Sequence, residues 1–146
     1  MTLPASATPT EGGTFVFTGG GGADVGPFTA TVTVPTPVLN WTNQSAAATI
    51  VSSQGLQMSW TGGAPGSYVH ISISSSSGSA AGTVSCYAPR SALQFTVPPF
   101  LLSALPAGKG AAGVQNLAPY APFSAQGLDS GNGVAYYSLS VSTKIQ

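Results

Sequence analysis

Phe28-Thr29-Ala30-Thr31-Val32-Thr33-Val34 is the stretch that decides the fold class. In an extended chain Phe28, Ala30, Val32 and Val34 fall on one side and the three threonines on the other. That two-residue period marks a strand with one buried and one hydrated face. The pattern spreads outward from there. Phe15 and Phe17 flank Val16 upstream, and Leu56, Met58 and Trp60 share a face downstream. Val69, Ile71 and Ile73 oppose Tyr68, His70 and Ser72, and Leu93, Phe95 and Val97 repeat the alternation. Between Val134 and Thr143, Ala135, Tyr137, Leu139 and Val141 face away from Tyr136, Ser138, Ser140 and Ser142. No amphipathic helical period competes with these runs. About eight or nine strands joined by regular turns predict an all-β, immunoglobulin-like antiparallel sandwich.

The turns give the expected organisation. Phe17-Thr18-Gly19-Gly20 recurs as Trp60-Thr61-Gly62-Gly63, each time followed by an alternating strand, so two related hairpins are expected. Ser74 to Ser79, with Gly78 inside it, reads as a turn before a strand around Gly82 to Ala88. Pro98 and Pro99 stop the strand ending at Val97. Phe100 to Leu105, bracketed by prolines, is expected either as one helical turn plugging the sandwich or as a short strand. Residues 1–12 hold prolines and little periodicity, which predicts an extended arm or linker ahead of a single domain over 13–146.

Composition removes several classes of function. Charged residues make up 4% of the 146, against about 25% in an ordinary globular chain. Ser and Thr supply about a quarter of the chain, so hydroxyls must cover the outer strand faces. Arg90, Lys109 and Lys144 balance Glu11, Asp24 and Asp129. Three scattered cations cannot neutralise a phosphate backbone, so nucleic acid is excluded as a partner. No apolar run is long enough for a transmembrane helix, and no membrane insertion is expected. The start, Met-Thr-Leu-Pro-Ala-Ser, has neither the basic nor the apolar region of a signal peptide. An exported form is thus expected to have lost its signal or to be part of a longer protein.

Five segments, in order, carry a resemblance. They are Thr14-Phe15-Val16-Phe17, the run from Gly21 to Phe28, Leu39-Asn40-Trp41-Thr42-Asn43, the run from Gln54 to Gly63, and Ser85-Cys86-Tyr87-Ala88-Pro89. Together, over about residues 13 to 143, they resemble secreted bacterial immunoglobulin-like domains, such as those of uncharacterised acidobacterial exported proteins. The resemblance implies a sandwich fold and an extracellular or cell-surface location, and it brings no assigned activity. Trp60 and Cys86 lack the second cysteine with which an antibody domain bridges its sheets.

Candidate sites are few. His70 is the only possible imidazole base, the three acids are far apart in sequence and no Gly-x-Ser-x-Gly motif occurs, so no enzyme is expected. A solvent-facing or hydroxyl-bonded histidine is the expectation for His70. One His and one Cys cannot complete a zinc site. Cys86 shares a strand face with Val84 and Ala88 and should be buried. Asp129, Asn132 and Asp24 lie in glycine-rich loops with calcium-type oxygen ligands. Asp and Asn also bond their own backbone in turns, and that turn chemistry is the expectation, with no metal or cofactor. Gly19 to Asp24 lacks the Lys-Ser/Thr ending of a phosphate loop. Asn40-Trp41-Thr42 and Asn43-Gln44-Ser45 match the glycosylation sequon, at about the frequency chance supplies. Trp60 reads as core, while Trp41 and Tyr136 are the residues expected at an interface. The functional expectation is an extracellular structural or interaction domain with adhesive or filament-forming character. It would self-associate through strand edges or its terminal arm, as a homo-oligomer or with neighbouring surface domains. The alternative is a cell-surface carbohydrate-binding module that uses exposed aromatic rings.

Overall fold

A computed structural model describes residues 12–146. Twelve strands run in chain order: β1 (Gly13–Gly19), β2 (Phe28–Val34), β3 (Asn40–Trp41), β4 (Thr49–Ile50), β5 (Leu56–Thr61), β6 (Tyr68–Ser77), β7 (Ala80–Pro89), β8 (Gln94–Val97), β9 (Gly108–Leu117), β10 (Ala121–Phe123), β11 (Gly131–Gly133) and β12 (Tyr136–Ile145). A four-residue helix, α1 (Pro99–Leu102), follows β8. The chain is therefore all-β. The expected eight or nine strands match in number the eight with four or more residues, although the sequence marks no strand at β9, and the surplus is two- or three-residue bridges that no periodicity can show.

Two sheets form the sandwich. Five strands in the order β4-β12-β9-β6-β7 make one layer, and β3-β5-β8 make the other. Their inner faces share one cluster of buried side chains, with Trp60, Met58 and Val97 from the smaller sheet and Val69, Ile71, Ile73 and Val114 from the larger. Leu102 of α1 is completely buried in this cluster and Leu105 joins it, so the Pro98–Pro106 segment is the helical turn that closes one end.

Phe28 and Val32 lie outside that cluster, although the alternating apolar faces predict one continuous core of Phe28, Val32, Trp60, Val69, Ile71, Phe95 and Leu139. Hairpin β1–β2, paired from Gly13↔Val34 to Gly19↔Phe28, forms a two-stranded sheet of its own. It packs on the β10–β11 hairpin, where the Phe28 and Phe123 rings stack with centroids 4.9 Å apart. Alternation reports that a strand has a buried face without saying which core receives it.

The second Thr-Gly-Gly is also corrected. β5 pairs with β3 and β8, whereas β6 pairs with β7 and β9, so residues 62–67 cross from one sheet to the other instead of closing a hairpin. Gly62 and Gly63 both have left-handed φ angles, 72° and 82°, which turn the chain out of the plane of its sheet. The crossing is fixed from below by Asn116 of β9, only 1% exposed. The Ala64 amide donates to Asn116 Oδ1 at 2.9 Å, and Asn116 Nδ2 donates to Ser67 Oγ at 2.7 Å and to the Tyr68 carbonyl at 3.2 Å. Ser67 Oγ in turn donates to the Ala64 carbonyl at 2.6 Å.

β9, the middle strand of the larger sheet, carries no clear alternation because Gly108, Gly110 and Gly113 and its alanines replace large side chains. A Cβ at Gly110 would collide with the Ser74 carbonyl, so the missing side chain is what lets β6 and β9 approach. Ser74 to Ser77, expected in a turn, belong to β6; the turn is Gly78-Ser79, with Gly78 at φ 58°.

Trp60→Ala should cost about 3–5 kcal/mol, because it empties the largest fully buried site in the cluster. Asn116→Ala should cost about 3 kcal/mol, since it leaves the buried Ala64 amide without an acceptor and takes a donor from Ser67 Oγ and the Tyr68 carbonyl. Urea unfolding of each variant checks both values; a wild-type midpoint for Asn116→Ala would mean the crossing holds without its lock.

Candidate functional site

The five-stranded sheet ends in two unlike edges. β7 closes one side with ten residues, Ala80 to Pro89, none of them charged. Its register with β6 is unbroken from Ser77↔Ala80 to Tyr68↔Pro89, so no bulge twists the edge away. No strand among the described residues pairs with its outer side. On the opposite side, β4 covers only Lys144 and Ile145 of β12. The Lys144 amide donates to the Ala48 carbonyl at 3.1 Å, and Gln44 Nε2 donates to the Ser140 carbonyl at 3.2 Å. From Tyr136 to Leu139 no strand among the described residues is hydrogen-bonded to the outer side of β12, although Phe15 and Phe17 of β1 lie near Tyr136. Natural edges are usually guarded by lysine, proline or a bulge, and β7 has a proline only at its last position.

The outer face of the same sheet is a second feature. Cross-strand register sets the outward side chains in rows. One row runs Pro89, Tyr68, Leu117, Tyr136, and the next runs Tyr87, His70, Gln115, Ser138. Beyond them lie Ser85, Ser72, Gly113 and Ser140, and the far end of the face carries Lys109 directly opposite Lys144. Tyr68, Tyr87 and Tyr136 are all more than half exposed. His70 is half-buried, with its ring stacked on Tyr87 at 4.7 Å and 20°. Its Nδ1 lies 3.4 Å from Gln115 Oε1, and its buried Nε2 has no hydrogen-bond partner. The partner at Nδ1 is thus an amide, where a hydroxyl or solvent was expected. A groove of about 240 Å³ crosses β6, β9 and β12 here, with Gly113 in its floor between His70, Gln115 and Ser138.

Residues named from the sequence separate into surface and core. Tyr136 is exposed on the outer face. Trp41 is 5% exposed, pairs with Trp60 across β3 and β5, and offers no ring to a partner. Its indole Nε1 donates to Asn43 Oδ1 at 3.0 Å. Asn40 and Thr42 on either side of it suggest a strand end, and Trp41 is indeed the last residue of β3, yet that strand end is buried. Asn43 also accepts the Ser59 amide and donates to the Gln57 carbonyl, so its sequon amide is committed to holding β5. Asp24 and Asp129 are exposed, on loops that adjoin: the Gly26 amide donates to the Gln126 carbonyl at 2.8 Å, and Gly127 sits against the Asp24 carbonyl. Asn132 lies in β11. Among the described residues no three His, Cys, Asp or Glu side chains gather as a metal site. Cys86 is 8% exposed on the inner face of β7, and burial pushes its thiol pKa above the ordinary value. The tyrosine rows went unrecognised in the sequence because the neighbour of each ring is set by register between strands.

Comparison of the chain with family models, curated proteins and solved structures finds no match.

Two outcomes follow for solution chemistry. At pH 8 Cys86 should resist Ellman's reagent in the folded chain and react fully in denaturant. Because its folded pKa is raised, the stability it contributes is full below the unfolded thiol pKa and is lost as pH rises through the folded one. EDTA should leave the melting temperature unchanged; a fall reversed by calcium would place an ion between the Asp24 and Asp129 loops.

Proposed function

We propose that this chain is an extracellular or cell-surface structural domain that joins copies of itself, or neighbouring surface domains, edge to edge into a fibre or layer. The observation that carries the reading is β7, a ten-residue edge with unbroken register, no charge and no bulge. Such an edge presents a row of backbone donors and acceptors that another strand can satisfy. Near-zero net charge removes the long-range repulsion that would otherwise hold copies apart.

Strand directions make the geometry simple. β12, β9, β6 and β7 alternate in direction, so β7 runs opposite to β12. A copy displaced sideways in the plane of the sheet would set Tyr136–Leu139 against β7 in antiparallel pairing. That contact is heterologous and repeats without closing, as a fibre requires. A two-fold axis normal to the sheet would instead pair β7 with β7, also antiparallel, and stop at a dimer. The extracellular placement is supported by the resemblance of residues 13–143 to secreted immunoglobulin-like domains. The expected arm, residues 1–12, lies outside the described residues up to Glu11 and is a second candidate donor.

Light scattering with negative-stain microscopy should find particles larger than the 14.4 kDa monomer near neutral pH. The double variant Ala81→Lys/Thr83→Lys, with both sites exposed on β7, should be monomeric with a melting temperature close to wild type. Deleting residues 1–12 should weaken assembly only where the arm is the donor. A wild-type chain that stays monomeric at millimolar concentration would end the assembly reading.

A further inference from the structure

We infer that the outer face of the five-stranded sheet binds a neutral polysaccharide, with Tyr87 and His70 as the stacking platform and Gln115 and Ser138 as the polar contacts. This inference does not rest on edge-to-edge assembly. It starts from the exposed Tyr87 ring, which is held by its stack on His70. A fixed aromatic plane suits the C–H face of a pyranose ring, which buries apolar area while its hydroxyls point outward. On the other side of His70 from that plane lies the groove of about 240 Å³ over Gly113, which His70, Gln115 and Ser138 line. Serine hydroxyls and the Gln115 amide both donate and accept, which matches a ligand whose hydroxyls do the same.

Charge and shape narrow the ligand class. The tyrosine, His70, Gln115 and serine rows contain no acid and no lysine or arginine. Lys109 and Lys144 are six residues along their strands from Gln115 and Ser138, about 20 Å away and beyond effective screening distance. The one cation at the aromatic end, Arg90, directly follows β7 and turns its Nε to the Gly62 carbonyl, so a phosphorylated or carboxylated chain would find no counter-charge within the rows themselves. The groove crosses three strands and is open to solvent, and Tyr68, Leu117 and Tyr136 continue an apolar row beside it. That suits a polymer lying across the face better than an enclosed small molecule.

Affinity electrophoresis through gels containing hydroxyethylcellulose, arabinoxylan, laminarin, dextran or galactomannan tests this, with polygalacturonate as the anionic comparison. At least one neutral polymer should retard the chain, and Tyr87→Ala and Gln115→Ala should each weaken retention by about tenfold. Ser142→Ala, on the same face beyond the groove, should bind like wild type. Both Tyr87 and Ser142 are exposed, so melting temperatures should stay close to wild type and confirm that lost binding is local. Running the Ala81→Lys/Thr83→Lys variant in the same gels separates the two ideas, since it should lose assembly and keep the site. Absence of retardation by every neutral polymer, equal retention of Tyr87→Ala and wild type, or preference for polygalacturonate would each overturn the inference.

Discussion

A single buried asparagine side chain fixes how the two layers of this sandwich meet. Asn116 stands on the central strand of the larger sheet and uses both ends of its amide on the segment that leaves the smaller one. The same crossing is gripped from the far side by Arg90, whose side chain donates to the Gly62 carbonyl and whose amide donates to the Ser67 carbonyl at 2.9 Å. Trp60 Nε1 donates to the Arg90 carbonyl at 3.0 Å and so joins core to crossing. Because Arg90 directly follows β7, the position of the open edge depends on this knot. A buried polar network of this kind adds little net energy when complete and is costly when broken, so it specifies the arrangement more than it stabilises it.

How far the sequence discloses the fold depends on side-chain size. β2, β5, β6 and β12 are legible because large apolar residues recur at every second position, whereas in β8 only Phe95 and Val97 belong to the strand and Leu93, read with them, is an exposed left-handed turn residue at φ 58°. β9 is not legible, since its contribution is close backbone approach at glycine, for which there is no hydrophobic signal. The Thr-Gly-Gly repeat misleads for a related reason. Glycine reports that the chain turns sharply, and whether it turns back along its own sheet or into another is decided by Asn116, more than fifty positions away. Within the candidate site the individual tyrosines are visible in the sequence, but their rows are not. Trp41 shows the converse: polar neighbours suggest a surface, while a hydrogen bond from its indole to Asn43 lets the ring sink into the core.

Scarcity of charge is common to the edge and the face. An ordinary sheet surface uses lysine and glutamate to stay hydrated and to discourage lateral pairing. Here hydroxyls supply the hydration, and they neither repel a neighbouring copy nor screen a neutral ligand. Lysine appears at only one end of the outer face, where Lys109 and Lys144 stand directly opposite each other. Edge and face share strands, since Tyr87 stands on β7 and Ser138 on the open stretch of β12, but edge pairing uses backbone groups in the plane of the sheet while these side chains point along its normal. Lateral growth would leave each groove open and repeat it at a fixed spacing, so modest single-site binding would be multiplied by avidity.

The alternation of strand direction carries a consequence for growth. A strand array joined through β7 of one copy and β12 of the next is polar. One terminus always presents the ten residues of β7, guarded only by Pro89 at its end, and the other presents four residues beside the short β4 strand. The two ends would then capture new subunits at different rates, and a peptide matched to β7 would cap one end while the other went on elongating.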